Sequence, residues 1–232
     1  MNRRSLNFLS LCLWLLWAAH ATAKEPNVVP VDKEPLHRLA LESKNVRVFD
    51  TRIPSGVTTL YHRHERDSVY VLISGTNNLV TEQLGTPPKP FSASPGDVFF
   101  GEHSKAALIH RFSNLSAEEH HVLDIELLAE TASSAAPMAA LPAGHRRVVE
   151  NSRVRVSRFV LEPGDSFRGD ATSGSSVLVV LAGSRVGIGT DSAAMQANDT
   201  APGWFNERDG STPRRIENDG QDRLELINVE IK

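Results

Sequence analysis

The stretch that decides the fold is "GVTTLYHRHERDSVYVLISG", Gly56 to Gly75. From Ser68 onward it is a short apolar and β-branched run that ends at a glycine, which is typical of a strand and its turn. His62 and His64 stand just before this run with one residue between them. Side chains at i and i+2 of a strand point to the same face, with Cα atoms about 6.5 Å apart. Two imidazoles at that spacing can bind one metal ion, so we expect a metal site mounted on a strand.

The framework of this stretch recurs later in the chain without the histidine pair. Residues at fixed places repeat 108 positions further on, and in the later part of each copy the offset shrinks to 107 and then to 104. The matched pairs are Arg38/Arg146, Glu42/Glu150, 46–48/154–156, Gly56/Gly164, Gly75/Gly183, 95–96/202–203, Asn114/Asn218 and 124–127/228–231. A constant offset that changes only in loops is typical of a duplicated domain. We therefore predict a first domain over 36–128 and a second over 144–232, joined by an Ala/Ser/Pro-rich linker over 129–143.

Both copies consist of short β-branched runs separated by Gly, Pro, Asn and Asp. The clearest runs are 46–53, 68–75, 97–100, 120–128, 154–161, 176–183 and 224–231. Only Leu36 to Leu41 shows any helical periodicity. Many short strands with turns every 8–12 residues predict an all-β protein built as sandwiches or barrels.

The first 23 residues have the pattern of a secretory signal peptide. Arg3 and Arg4 precede an apolar segment of about 14 residues, and Ala21-Thr22-Ala23 has the form of a cleavage site. We expect cleavage after Ala23 and export to the periplasm or the medium, with an N-terminal extension over 24–35. The apolar segment is short for a stable membrane span. The only cysteine, Cys12, lies in this segment, so the exported chain has neither a disulfide nor a thiolate ligand.

The composition indicates an ordinary globular protein. The 232 residues are 40% hydrophobic and 23% charged, with a formal net charge of −3. A mildly acidic chain without a basic cluster gives no sign of a nucleic-acid partner, and the expected partner is a small molecule. The sequence contains no P-loop, no G-x-G-x-x-G, no G-x-S-x-G and no H-E-x-x-H motif.

Two stretches resemble the two motifs of the cupin family. The first motif is Gly, five residues, His-x-His, three or four residues, Glu, six residues and Gly, and 56–75 follows it with Ser68 in place of the glutamate. The second motif ends in His, three residues and Asn, which His110 and Asn114 match. The stretch from Gly96 to His110 carries three extra residues and lacks the Pro-x-Gly of the motif. The resemblance implies a bicupin, two tandem jelly-roll β-barrels, in agreement with the strand pattern.

The resemblance also implies that His62, His64 and His110 bind a metal ion in the first barrel. Without the glutamate, three neutral histidines leave the ion more electrophilic and with at least one open position. Other residues near the missing glutamate could act as a replacement ligand or as a partner for a histidine N–H. These residues are Ser68, Glu102, His103, Asp124 and Glu126.

For the remaining histidines, a position outside the site is the simpler prediction. His103 reads best as a solvated loop residue, although its loop could fold over the barrel mouth. His120 and His121 are adjacent and face opposite ways, so both cannot join the site. We expect these two, together with His37 and His145, to lie at the surface or at strand edges.

In the second copy the expected ligands are replaced. The positions of His62, His64, Ser68 and His110 correspond to Asp170, Thr172, Ser176 and Arg214. An arginine cannot bind a metal ion. Arg214 could instead pair with Asp170 inside the barrel or bind an anionic ligand, and the pairing is the simpler alternative.

Three functions follow from these observations. The first is an exported enzyme with one divalent transition metal, with iron favoured over zinc, nickel or manganese, that works as a dioxygenase-type oxidoreductase on a small organic substrate. The second is a non-catalytic protein that binds a small molecule or a metal, and the third is a metal-free structural cupin. No catalytic residue beyond the ligands can be named from the sequence. A homodimer is one further form of assembly, besides pairing of the two copies within one chain.

Overall fold

The computed structural model describes residues 26–128, 145–169, 175–191, 193–209 and 213–232. The predicted signal peptide and linker, as well as Asp170 and Thr172, lie outside the described residues. Within the described part the chain forms nineteen β-strands and one short 3-10 turn, Val31–Lys33. The all-β prediction is confirmed.

The first half forms two five-stranded sheets that enclose a barrel. One sheet has the strand order β1-β4-β9-β6-β7 and the other has the order β2-β3-β10-β5-β8. The strands are β1 (Val28–Pro30), β2 (His37–Glu42), β3 (Val46–Ile53), β4 (Tyr61–His64), β5 (Ser68–Ser74), β6 (Leu79–Gln83), β7 (Lys89–Phe91), β8 (Val98–Gly101), β9 (Leu108–Asn114) and β10 (His120–Leu127). Strand β1 comes from the predicted extension and pairs in parallel with β4.

The second half repeats this arrangement with nine strands. Its sheets have the orders β11-β12-β19-β14-β17 and β13-β18-β15-β16. The strands are β11 (His145–Glu150), β12 (Val154–Leu161), β13 (Ser166–Gly169), β14 (Ser175–Ala182), β15 (Arg185–Gly189), β16 (Gln196–Asp199), β17 (Phe205–Asp209), β18 (Arg214–Glu217) and β19 (Leu224–Ile231).

The repeated glycines and asparagines have the same structural roles in both halves. The pairs Gly56/Gly164, Gly75/Gly183 and Gly96/Gly203 all have positive φ angles, between 62° and 109°, which residues with a Cβ rarely adopt. The buried Asn114 donates from Nδ2 to the carbonyls of residues 53 and 118, and Asn218 donates to those of 161 and 222. The sequence repeat therefore marks turns that both halves need.

The central strands of the first half bury both of their faces. On β5, Val69, Val71 and Ile73 pack into a core shared with β12, β14 and β19 of the second half, while Tyr70 and Leu72 face the interior of the first barrel. Strands β3 and β10 divide their residues in the same way. Because alternate residues face two separate interiors, the run on β5 is almost continuously apolar.

The helical periodicity of Leu36 to Leu41 is misleading. The residues from His37 onward form β2, which pairs antiparallel with β3. A run of six residues is too short for periodicity alone to separate a helix from a strand. Pairing with β3 decides the conformation and places His37 opposite Thr51.

Candidate metal centre

Strands β4 and β9 carry the three histidines of the two motifs. His62 and His64 are each 1% exposed, whereas Arg63 between them is exposed, so both histidines face the barrel interior as expected. Strand β9 runs antiparallel to β4 and sets His110 directly opposite His62. Two neighbouring strands therefore bring together side chains that lie 46 to 48 residues apart in sequence.

The three rings lie close together, and one pair of their nitrogens has the spacing of two ligands of one ion. The ring centroids of His62 and His110 are 4.5 Å apart, those of His62 and His64 are 4.9 Å apart, and those of His64 and His110 are 5.2 Å apart. The Nε2 atoms of His64 and His110 are separated by 3.2 Å. Two nitrogens bound to one ion at about 2.0–2.1 Å, with angles between octahedral and tetrahedral values, lie roughly 2.9–3.4 Å apart.

His62 holds a lone pair inside this cluster. Its Nδ1 donates to the carbonyl of Leu60 over 2.9 Å, so Nε2 carries no proton in the neutral ring. Nε2 is buried and has no hydrogen-bond partner among the described residues. Burial, reinforced by neighbouring His37, lowers the pKa of His62 to about 4, so the ring is neutral at pH 7. A buried acceptor without a partner requires an explanation, and a bound cation supplies one.

His64 and His110 are held neutral in the same way. Burial lowers the pKa of both side chains well below the usual value, and the neighbouring histidines lower it further. Neutral imidazole is the form that binds metal ions. The donor set therefore fits a divalent transition metal without any change of protonation at neutral pH.

Polar groups surround His64 on the side away from His110. Its Nδ1 lies 3.5 Å from Oδ2 of Asp124 and 3.3 Å from the hydroxyl of Tyr70, which in turn contacts Nε2 of His103 at 2.9 Å. Asp124 is 1% exposed, and burial raises its pKa well above the usual value. A metal ion nearby would favour the ionised carboxylate, because the ion's charge offsets the cost of burial. Neither carboxylate oxygen has a hydrogen-bond partner among the described residues, so Asp124 lies beside Nδ1 of His64 as a neighbouring charge, and its role as a partner of a ligand N–H stays a prediction.

His37 joins the cluster; it lies on an edge strand, one of its two predicted locations, but it is not at the surface. It is 9% exposed, and its ring centroid is 4.4 Å from that of His62. One nitrogen each from His37, His62 and His64 lies within 4.8 Å of the others. Because residues 36–41 were not predicted to form a strand, no face of a sheet could be assigned to His37. The sequence signal that could have found it is the repeat, because His37 and His145 are also 108 positions apart.

His103 was also read wrongly as a solvated loop residue. It is half-buried, bonds to Tyr70, and its ring centroid is 5.4 Å from that of His64. The loop after β8 therefore does turn back over the barrel mouth. Glu102 beside it stays exposed and pairs with Lys105, which excludes it as a ligand in this arrangement.

Ser68 and Glu126 lie opposite each other on β5 and β10. Ser68 is fully buried, and its hydroxyl lies 3.4 Å from the carbonyl of Arg66. Glu126 is 2% exposed and lies 3.7 Å from Arg47. Neither has a described contact with the motif histidines, in contrast to Asp124.

His120 and His121 are buried, so their prediction as surface residues was wrong. They do face opposite ways, as expected from their adjacency. His120 is 3% exposed, stacks on Phe112 and borders the barrel cavity. His121, also 3% exposed, faces Asp50, with Nε2 at 2.8 Å from the carboxylate. His145, half-buried on β11, lies on an edge strand, as one of the predicted alternatives states.

The histidines open into a cavity of about 290 Å³. This volume is at the lower end of the range for small-molecule sites. Apart from the histidines and a few other polar groups, the wall is apolar and aromatic, with Ile53, Leu72, Phe91, Phe99, Leu108, Phe112 and Val122. Phe99 is 39% exposed and marks the mouth. The cavity suits a small, largely apolar molecule with one polar group directed at the histidines.

The equivalent place in the second half has different chemistry. Arg214 begins β18, is 5% exposed, and has Nη2 at 3.4 Å from Oδ1 of Asn206. Burial and the neighbouring Arg208 lower the pKa of Arg214 to about 9, so it remains a cation at neutral pH. Ser176 is buried on β14. The predicted pairing of Arg214 with Asp170 falls outside the described residues.

Solved structures with the same architecture are cupins. AerE from Microcystis aeruginosa is 13% identical, with a TM-score of 0.60 over 86% of this chain and 98% of that one. Salicylate 1,2-dioxygenase from Pseudaminobacter salicylatoxidans is 13% identical, with a TM-score of 0.55 over 81% of this chain and 71% of that one. Oxalate decarboxylase from Bacillus subtilis, a protein with Mn(II) centres, is 11% identical, with a TM-score of 0.56 over 81% and 69%. This chain thus has the cupin fold in its two-barrel form.

At the level of sequence, no protein-family model and no curated protein matches the chain. Identities of 11–13% to the solved structures establish the fold and leave the activity to the site itself. In the part of the chain that the structure describes, none of the helices has the length and apolar character needed to cross a membrane.

Proposed function

We propose that the first barrel binds one divalent transition metal through His62, His64 and His110, and that the protein is a dioxygenase-type oxidoreductase for a small organic substrate. Iron is the favoured metal, with zinc, nickel and manganese as alternatives, because imidazole ligands suit all but the last of these well. The proposal includes export of the chain after cleavage behind Ala23, which rests on the N-terminal sequence alone.

The observation that carries the proposal is the buried Nε2 of His62. It holds a lone pair without a partner among the described residues, beside two histidines whose Nε2 atoms are 3.2 Å apart. A metal-free structural protein would gain nothing from this arrangement, since buried polar atoms without partners each cost about 1–3 kcal/mol. A metal ion satisfies all three nitrogens together.

A metal bound here would supply Lewis acidity and, in the case of iron, a centre for reaction with O₂. The chain's own residues would prepare the substrate. The aromatic wall of Phe91, Phe99 and Phe112 can hold a flat apolar molecule and keep water away from the reacting atoms. The hydroxyl of Tyr70, between His64 and His103, can hold or pass a proton beside the cluster.

The charge of the site favours an anionic or chelating substrate. The three motif histidines contribute no negative charge, so a divalent ion would keep its full charge apart from the effect of Asp124. A small aromatic acid fits both this charge and the apolar wall. The structural relative that has been solved with gentisate supports testing hydroxybenzoates first.

Metal content is the first test. The purified exported chain should contain about one transition metal ion after reconstitution with iron, zinc or nickel, measured by elemental analysis. His62→Ala and His64→Ala should lose this ion, and Ser176→Ala, at the second-half position that corresponds to Ser68, should keep it. A wild-type protein that binds none of these metals would rule out the proposal.

Oxygen uptake then separates an enzyme from a binding protein. The iron-loaded protein should consume O₂ with at least one compound from a panel of hydroxybenzoates, catechols and diketones, and the zinc-loaded protein should not. Saturable binding of these compounds without O₂ consumption would instead identify a non-catalytic cupin, the second candidate.

A further inference from the structure

His37 is placed like a metal ligand although it belongs to neither motif. It lies on β2, which pairs with β3 in the sheet opposite β4 and β9. Its ring centroid lies 4.4 Å from that of His62 and 6.0 Å from that of His64. A nitrogen of each of these three residues lies within 4.8 Å of the other two. The cluster therefore receives histidines from both sheets of the barrel.

A buried carboxylate fixes the orientation of His37. Glu34, 3% exposed, accepts from Nδ1 of His37 at 2.8 Å and from the backbone N–H of Leu36 at 2.8 Å. Burial opposes ionisation of Glu34, but the hydrogen bonds outweigh it, and the pKa of Glu34 lies below its usual value. Because an ionised carboxylate only accepts, Nδ1 of His37 carries a proton, and in the neutral ring Nε2 then holds the lone pair. Carboxylate-anchored histidines of this kind are typical of metal ligands.

The same carboxylate also supports the strand that carries the motif histidines. The second oxygen of Glu34 accepts from the backbone N–H of Leu60 at 3.2 Å, and the carbonyl of Leu60 accepts from Nδ1 of His62 at 2.9 Å. One buried group thus sets the tautomer of His37 and holds the residue that sets the tautomer of His62. A histidine at an unrelated edge of the sheet would need no such coupling.

The motif position of the glutamate supplies no ligand here. Ser68 stands at that position, and the buried carboxylate of Asp124 approaches Nδ1 of His64, the nitrogen that faces away from His110. We infer that Nε2 of His37 is a fourth ligand, so that the metal of the proposed function is bound by four histidines, His37, His62, His64 and His110. This inference rests on the proposed metal site and specifies its ligand set.

The second half provides the matched comparison. His145 occupies the repeat position of His37, and its strand β11 pairs with β12 as β2 pairs with β3. The ring of His145 stacks on Phe159, with centroids 5.0 Å apart and planes inclined by 13°. The sequence has Pro142 at the position that corresponds to Glu34. A histidine at this position packs against aromatic rings in one half and faces a ligand cluster in the other.

The test compares His37→Phe with His145→Phe in the full-length exported protein loaded with Co²⁺. Phenylalanine keeps the ring volume and removes the nitrogens. We expect the X-ray absorption spectrum of the wild type to show four imidazoles per Co²⁺ and that of His37→Phe to show three. Competition with a chelator should give an affinity at least tenfold weaker for His37→Phe and unchanged for His145→Phe. Glu34→Gln should weaken binding in the same direction with four imidazoles retained.

The outcomes distinguish this inference from the proposed function. If His37→Phe binds Co²⁺ as tightly as the wild type with an unchanged imidazole count, while His62→Ala loses it, the fourth ligand is refuted and the three-histidine site stands. If the wild type binds no metal, the proposed function fails, and the inference fails with it. Should His37→Phe not fold, the imidazole count of the wild type and the affinity of Glu34→Gln decide the question.

Discussion

Strands of the two barrels pair in corresponding registers, but the side chains that face the two interiors differ. In the first, Tyr70 on β5 lies opposite Asp124 on β10, and both border the cavity. In the second, Leu178 on β14 lies opposite Asn228 on β19 at the corresponding positions. His120 corresponds to a leucine at 224 and Thr51 to a phenylalanine at 159. Part of the polar lining of the first barrel is thus replaced by apolar side chains in the second.

This difference indicates a division of tasks: the second barrel provides a packed core, and the first provides a cavity with candidate ligands. The interior of the second barrel is a packed cluster that includes Phe159, Leu178, Ile216 and Leu226. The first barrel lacks such packing and instead has a cavity lined by histidines. The shared core between the halves, built from β3, β5 and β10 against β12, β14 and β19, joins the filled barrel to the open one. The second half can therefore stabilise a first half that is costly to fold.

The largest predicted effect is on the stability of the filled barrel. Phe159 is 1% exposed, and its replacement by alanine should leave a cavity and reduce the free energy of unfolding by about 3–5 kcal/mol. The control is Thr51→Ala at the corresponding position of the first barrel. The Thr51 hydroxyl has no hydrogen-bond partner among the described residues, so its loss should cost less than about 1 kcal/mol. Urea denaturation measures both, and equal costs would contradict the division of tasks.

The second prediction is that the metal-free protein loses stability in acid. The pKa of His62 is about 4 in the folded chain against 6.5 for the free side chain. Between these values the unfolded chain binds more protons, so stability decreases as the pH falls through this window. His62 alone should cost the metal-free protein about 3 kcal/mol at pH 4 relative to pH 7. His64 and His110 act in the same direction.

Hydrogen exchange can locate this acid effect. After correction for intrinsic rates, amides of β4 and β9 should lose protection between pH 7 and pH 4.5 before those of β14 and β19 do. Bound metal should delay the loss, because protons compete with the ion for the same nitrogens. Equal loss of protection in both halves would show that the histidine cluster is not the source of the acid sensitivity.

The sequence predicts those parts of the site that local pattern and repeat determine. The alternation of His62 and His64, the positive-φ glycines and the boundaries of β3, β12 and β19 follow from period-2 patterns and turn chemistry. The roles of Glu34, His37 and His103 could not be read in the same way. Each depends on pairing or loop closure between segments at least 14 residues apart, which short windows do not encode.

The smallest of the predicted effects tests how Asp124 acts. Asp124→Asn introduces the amide that the second barrel has at Asn228, so the strand is known to accommodate this side chain. The variant should bind Co²⁺ or Zn²⁺ roughly 10–100-fold more weakly, because the carboxylate beside Nδ1 of His64 is lost while all histidines remain. Chelator competition measures the affinity. The imidazole count from X-ray absorption should not change, since Asp124 acts through His64.

Glu126→Gln is the matched control for this prediction. Glu126 lies two residues further along the same face of β10, is equally buried, and pairs with Arg47 at 3.7 Å rather than with a histidine. Its neutralisation removes one buried negative charge from the same barrel, so a purely general effect of charge would weaken metal binding in both variants alike. A loss of affinity confined to Asp124→Asn shows that the contact with His64 is what matters. The first barrel would then differ from the second by a carboxylate that supports a ligand, as well as by the ligands themselves.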